Sequence, residues 1–265
     1  MSRRFKISQI FNKILFFLII FFPQESLSNE CESKINKQEN TIFIAKYDLK
    51  KNKITFGTNV NIYRRIQSDV WGGTNYSFQI FACTAGIFKL KKDDRKETSL
   101  FSITSKGKTV SDIYVFNRVL KNSIEKVDSK FYTKRSGKNR CNHTTETLEN
   151  GEKKMIEHEG CNAFDRLSVQ IDYQKKLESG KYNAKYFVID KGRERNYIFK
   201  LVDTEIINTI FGETETIVIK RIIEGNKRST LTWYAIDHGF VPVKIEQYRK
   251  TTLKFTAYLT KYKFN

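Results

Sequence analysis

Thr214-Glu215-Thr216-Ile217-Val218-Ile219-Lys220-Arg221-Ile222-Ile223, then Glu224-Gly225-Asn226, then Ser229-Thr230-Leu231-Thr232-Trp233-Tyr234-Ala235 is the stretch that decides the fold. Two runs rich in β-branched and aromatic residues flank a turn whose glycine supplies the backbone freedom of a tight hairpin. The same rhythm recurs outward. Lys185–Ile189, Asn196–Val202, Val241–Tyr248 and Leu253–Tyr262 are strand-like runs, and Asp190-Lys191-Gly192 marks another hairpin. The region 185–262 therefore reads as a β-meander. Upstream, over 41–160, Thr41–Leu49, Ile54–Ile66, Tyr76–Ala85 and Leu100–Thr104 read as strands, with Val110–Phe116 and Lys130–Lys134 less regular.

One segment departs from period two. From Asp165 to Leu177 no turn residue occurs, and Phe164, Leu167 and Ile171 share one helical face. Asp165 suits an N-cap, Lys175 and Lys176 complement the C-terminal end of the helix dipole, and Gly180 suits a stop. The spacing predicts a helix over 165–177 that covers one face of a sheet.

The first 28 residues read as a secretory signal. Arg3, Arg4, Lys6 and Lys13 lead, Ile14–Phe22 is a short apolar run ended by Pro23, and Ser26-Leu27-Ser28 is a small-x-small cleavage pattern. The expectation is cleavage near Ser28, a bacterial periplasmic location and a single β-rich domain over 29–265. The apolar run is shorter than the roughly 20 residues of a membrane span, and no later segment reads as one.

The chain carries a formal charge of +19. The leader holds four basic residues and one acid, so +16 belongs to the remainder. Such an excess suits anionic envelope partners, phospholipid headgroups or acidic polymers among them, and it is also what a Lys-, Asn- and Ile-rich composition produces without any partner. Export argues against nucleic acid. Cys31, Cys83, Cys141 and Cys161 make an even count in an oxidising compartment, which suggests two disulfides with three connectivities. Cys141 with Cys161 closes a short hairpin-like segment, leaving Cys31 with Cys83.

Catalytic and metal chemistry find little purchase. Cys141, His143, His158 and Cys161 offer zinc-ligand types, but their spacing is not a common structural-zinc pattern, and no metal or cofactor is expected. A hydrolytic triad needs a histidine beside a nucleophile, and no nucleophile elbow occurs. Asp237-His238-Gly239 reads as a turn between strands. The strand aromatics Phe78, Phe81, Phe88, Tyr186, Phe199, Tyr234 and Phe255 have two readings, an ordinary core or the lining of an apolar cavity in a curved sheet.

Tyr47-Asp48-Leu49 with Ile54 and Gly57, then Gly86-Ile87-Phe88, then Phe164-Asp165-Arg166-Leu167-Ser168, resemble in order the exported bacterial family called domain of unknown function 3108. Asp190-Lys191-Gly192-Arg193, Tyr197-Ile198-Phe199, Phe211-Gly212, Trp233, Asp237, Pro242, Val243 and Ile245 continue the resemblance. The stretch 117–160 fits it poorly. Trp233-x3-Asp237-x4-Pro242-Val243 is also similar to a hairpin of periplasmic lipoprotein carriers of the LolA and LolB type. These resemblances imply a mainly β fold: a curved antiparallel sheet or incomplete β-barrel with one covering helix. The reading favoured is a non-enzymatic envelope protein that binds or carries an apolar or amphipathic, lipid-like ligand. The alternative is an interaction module in envelope assembly that holds protein or acidic polysaccharide, and a hydrolase using His238 or His143 ranks last.

Overall fold

The computed structural model describes residues 41–51, 60–68, 75–84, 93–136, 140–149, 152–159 and 163–265. The leader, Cys31, Gly57, Phe88, Cys161 and the side chains of Cys141, His143 and His158 lie outside the described residues, and both disulfide pairings rest on such positions. The described strands fall in one compact unit, Gln38–Asn265.

Among the described residues, fifteen strands form one curved, unclosed sheet. They are β1 (Thr41–Lys51), β2 (Val60–Ser68), β3 (Asn75–Thr84), β4 (Asp93–Ile103), β5 (Thr109–Leu120), β6 (Ile124–Ser136), β7 (Arg140–Glu149), β8 (Glu152–Glu159), β9 (Phe164–Asp165), β10 (Ala184–Asp190), β11 (Arg193–Thr209), β12 (Gly212–Ile223), β13 (Arg228–Ala235), β14 (Val241–Arg249) and β15 (Thr252–Phe264). The order runs β8 to β1, then β15 to β9, so the two ends of the described chain meet mid-sheet. There β1 pairs antiparallel with β15, Phe43 opposite Phe264 and Ala45 opposite Tyr262. Among the described strands only the short β9 pairs in parallel, with β10.

Period-two alternation on β12 assigns its side chains to two cores. Ile217, Ile219 and Ile223 point to a cluster with Tyr186, Tyr197 and Phe199. Val218 points to a second cluster with Ala45, Tyr47, Trp233, Val243 and Leu259. A third, built on Phe78, Phe101, Tyr114, Phe116 and Val127, fills the side formed by β2 to β6. The stretch 117–160, which carries little apolar signal, nonetheless forms the long hairpin strands of β6, β7 and β8, where Ser129, Thr145, Thr147 and Ile156 are buried.

The helix α1 runs Ser168–Glu178, three residues later at its start than the sequence predicts. Asp165 belongs to β9, and its carboxylate caps the intervening turn by accepting from the N–H groups of Leu167 (2.7 Å) and Ser168 (2.9 Å). Val169, Tyr173 and Leu177 face the first cluster, while Leu167 and Ile171 pack against the third. The helix is thus wedged between the two halves of the sheet. Its end is a Schellman closure: Lys181 N–H reaches Lys176 O (2.8 Å), Gly180 N–H reaches Leu177 O (2.9 Å), and Gly180 adopts φ 72°.

Side chains connect the two halves where strand pairing does not. Arg166 lies 3.6 Å from Glu97 and 3.2 Å from Asp190. Tyr114 donates to Glu97 and Tyr197 to Asp190, each at 2.9 Å. From the β10–β11 turn, Lys191 sits 3.1 Å above the Phe116 ring and 3.6 Å from Glu125.

Candidate functional site

A cavity of about 450 Å³ opens where α1, the paired strands β1 and β15, β2 and the β13–β14 connection converge. That volume is within the range of small-molecule sites. Its floor is Tyr47 on β1 and Arg64 on β2, 1% and 7% exposed. Gln174 and Glu178 of α1 line one wall, and Phe43, Tyr262 and Phe264 line another. The rest comes from His238, Gly239, Val241 and Pro242. Phe264, 67% exposed, stands at the mouth.

Local structure explains the placement. Ile236–His238 form a 3-10 turn closed by Gly239 at φ 63°, as expected of the Asp-His-Gly tripeptide, and this swings β14 back beneath the helix. Gln174 Nε2 donates to Gly239 O (2.6 Å), which ties α1 to that turn. His238 lies stacked on Phe211 at 3.9 Å, and Phe211 meets Tyr262 edge-on at 5.9 Å. Asp237 and His238 are both exposed.

The electrostatics centre on Arg64. Its Nη1 donates to Tyr47 Oη at 3.4 Å and its Nη2 to Gln170 Oε1 at 3.2 Å, both neutral partners. Its Nε–H is buried without a hydrogen-bond partner among the described residues. The guanidinium also faces the rings of Phe78 (5.1 Å) and Tyr47 (6.0 Å). Tyr47 donates its own proton to Pro242 O at 2.8 Å. Burial lifts the Tyr47 phenol above its ordinary pKa despite the nearby Arg64 charge, so the ring stays neutral and supplies no counter-charge.

A second cleft, about 380 Å³, lies between the far end of β11 and Val243, Lys244, Tyr258 and Leu259. Its cation is already engaged, since Lys244 lies 2.9 Å from Glu246 and 3.8 Å above the Trp233 ring.

The sequence-predicted positions distribute as follows. Tyr186, Phe199 and Tyr234 pack with Tyr173 in the helix-side core, with Tyr173 and Phe199 stacked at 4.0 Å. Phe78 lies beneath Arg64, Phe81 carries Lys96 at 5.3 Å, and Phe255 joins the second core. None of these six lines the cavity. Asp165 is fully buried and Leu167 nearly so, Arg166 joins the two halves, Gly212 opens β12 at φ 88°, and Trp233 donates to Glu205 at 2.8 Å. Of the motif residues, Pro242 and Tyr47 belong to the cavity itself. Arg64, Phe43, Tyr262 and Phe264 were not singled out by sequence. Among the described residues no cluster of metal ligands occurs, and no helix is long and apolar enough to cross a membrane.

The family profile described as protein of unknown function, DUF3108, matches residues 46–259. The chain belongs to the DUF3108 family. Among solved structures, this DUF3108 protein is similar to a β-barrel-like protein of domain of unknown function DUF1849 from Brucella abortus. That similarity has a TM-score of 0.55 and 9% identity, covering 86% of this chain and 99% of the other. It shows the β-barrel-like fold. An exported-protein candidate with a YmcC-like fold from Bacteroides fragilis aligns over 85% of this chain and 96% of its own at 12% identity, with a TM-score of 0.34. No curated protein matches the DUF3108 chain.

Proposed function

We propose that this DUF3108 protein is an exported, periplasmic binder or carrier of an apolar or amphipathic envelope molecule, and that the guest occupies the cavity beneath α1. The observation that carries the reading is the cavity itself: about 450 Å³, walled by Phe43, Tyr262, Val241 and Pro242, at the seam of an unclosed barrel-like sheet. The basic leader with its short apolar run supports export, and the excess of lysine and arginine supports contact with anionic headgroups. Even-numbered, oxidisable cysteines fit that compartment. The test is native mass spectrometry with solvent extraction of protein purified after export. Co-purifying acyl-chain adducts are expected; a ligand-free protein that takes up no alkyl probe overturns the reading.

A second reading, an interaction module, draws on β11. Among the described residues this strand pairs beyond Phe199 only with β12, and Leu201, Val202 and Ile206 are exposed along it, with Ile210 exposed in the turn that follows. Cross-linking from these positions would then capture one stable protein partner in place of lipid.

A further inference from the structure

We propose that Arg64 anchors the head of the guest, and that the cavity selects a single-chain amphiphile whose head is a monoanion, a carboxylate above all. This deepens the binder reading and rests on it. A buried guanidinium is costly unless a counter-charge and good hydrogen bonds compensate it. Two partly buried arginines of this protein follow that rule: Arg166 has Glu97 and Asp190, and Arg118 has Asp93 at 2.7 Å and Glu125 at 3.5 Å. Arg64 does not. Although only 7% exposed, it has two long bonds to neutral oxygens and a buried Nε–H with no partner among the described residues. Five N–H groups in a planar fork leave three donors for a ligand, a match to the paired oxygens of a carboxylate.

The surroundings decide the rest. Arg64 is the one Lys or Arg among the described lining residues, and the acid Glu178 is exposed on the helix at the rim. One cation compensates one negative charge, so a doubly charged phosphomonoester would leave half its charge buried and unpaired. Next to the arginine the walls are Phe43, Val241, Pro242 and Tyr262, with Phe264 at the mouth. An apolar tail extending outward from a head on Arg64 would lie against these rings.

The experiment is titration calorimetry of the full chain at mildly alkaline pH with laurate, dodecanol and dodecyl phosphate. It compares wild type, Arg64→Met and Arg64→Lys, and circular dichroism with thermal melting checks the fold of each. Laurate should bind wild type, weaken roughly ten- to hundredfold in Arg64→Met as charge-assisted hydrogen bonds are lost, and weaken less in Arg64→Lys. Dodecanol should bind all three within about threefold of one another, since tail burial is common to them. Apo Arg64→Met should melt at or above wild type, because an uncompensated buried charge has gone. If it melts well below wild type, Arg64 is structural and the anchor is refuted. Laurate binding that is indifferent to Arg64→Met refutes the anchor while leaving the binder reading intact, and dodecyl phosphate binding more tightly than laurate refutes the monoanion. Failure of laurate and dodecanol alike refutes the binder reading itself.

Discussion

Removing the carboxylate of Asp165 should cost this fold far more than neutralising it. Asp165 is fully buried and accepts from Ser99 Oγ at 2.7 Å, Leu167 N–H at 2.7 Å and Ser168 N–H at 2.9 Å. Its backbone N–H in turn reaches Ser111 and Ser168 Oγ, both 3.1 Å away, and those hydroxyls share a bond at 2.6 Å. Asp165→Ala strips the acceptor from two buried backbone donors and one hydroxyl, each worth about 1–3 kcal/mol when left unsatisfied. Relief of carboxylate desolvation offsets part of this, so the net loss should be about 3 kcal/mol. Asp165→Asn keeps one oxygen for both N–H groups, and the Ser99 hydroxyl can turn to accept from the amide, giving a loss of about 1 kcal/mol. Burial also pushes the Asp165 carboxyl above its ordinary 3.8, outweighing the hydrogen bonds from Ser168, Ser99 and Leu167. A raised folded-state pKa means that its contribution is complete below 3.8 and is lost as pH rises through the folded value. The gap between wild type and Asp165→Asn should therefore narrow from acid toward neutral pH. Urea unfolding followed by tryptophan fluorescence, with Trp233 buried in the second core, measures all three quantities. An Asp165→Ala loss below about 1 kcal/mol, or an Asn variant as damaged as the Ala variant, would refute the claim that satisfied hydrogen bonding is what this residue provides.

Asp93 should behave with the opposite sign. Arg118 and Arg95 hold its carboxyl well below the usual range, so its contribution is present above about 4 and lost as pH falls; Asp93→Asn should flatten the acid limb of a melting-temperature profile, by less than about 1 kcal/mol because the pair is partly exposed. Gly192 should tolerate no side chain: its φ is 70° and a Cβ would stand 2.7 Å from Thr147 Cγ2, so Gly192→Ala should cost roughly 2–3 kcal/mol in urea unfolding. Gly225, at φ 71° with nothing within 4 Å of a Cβ, should cost only the backbone part, about 1–2 kcal/mol. Thr147→Ala, which removes a buried hydroxyl bonded to Ser129, should cost the same in wild type and in the Gly225 variant but less in Gly192→Ala, because the β10–β11 turn docks on β7.

What was legible in the sequence followed local chemistry. The meander beyond 185 was readable because β-branched alternation and Gly turns set strand and register within a few residues, and α1 because its apolar positions recur at 3.6. β7 and β8 were not, since Arg140–Glu149 and Glu152–Glu159 are mostly polar and gain their strand state from pairing with β6 and with each other. The candidate site was hidden for a related reason. Val60–Ser68 contains Arg64 beside Arg65, which reads as a solvated strand, and only the approach of β1 and α1 buries the first of them. Strand aromatics drew attention to Tyr186 and Phe199, whose neighbours are near in sequence; Phe43, Tyr262 and Phe264 meet because β1 pairs with β15 across the length of the chain. One non-local signal was nevertheless present. The Tyr47-Asp48-Leu49 and Pro242-Val243 motifs, the two ends of the family resemblance, converge on the hydrogen bond from Tyr47 Oη to Pro242 O, 195 positions apart. That bond fixes the phenol on which Arg64 rests, so these two motif residues hold the cavity floor in place while the charge that would select its guest comes from a strand outside every motif.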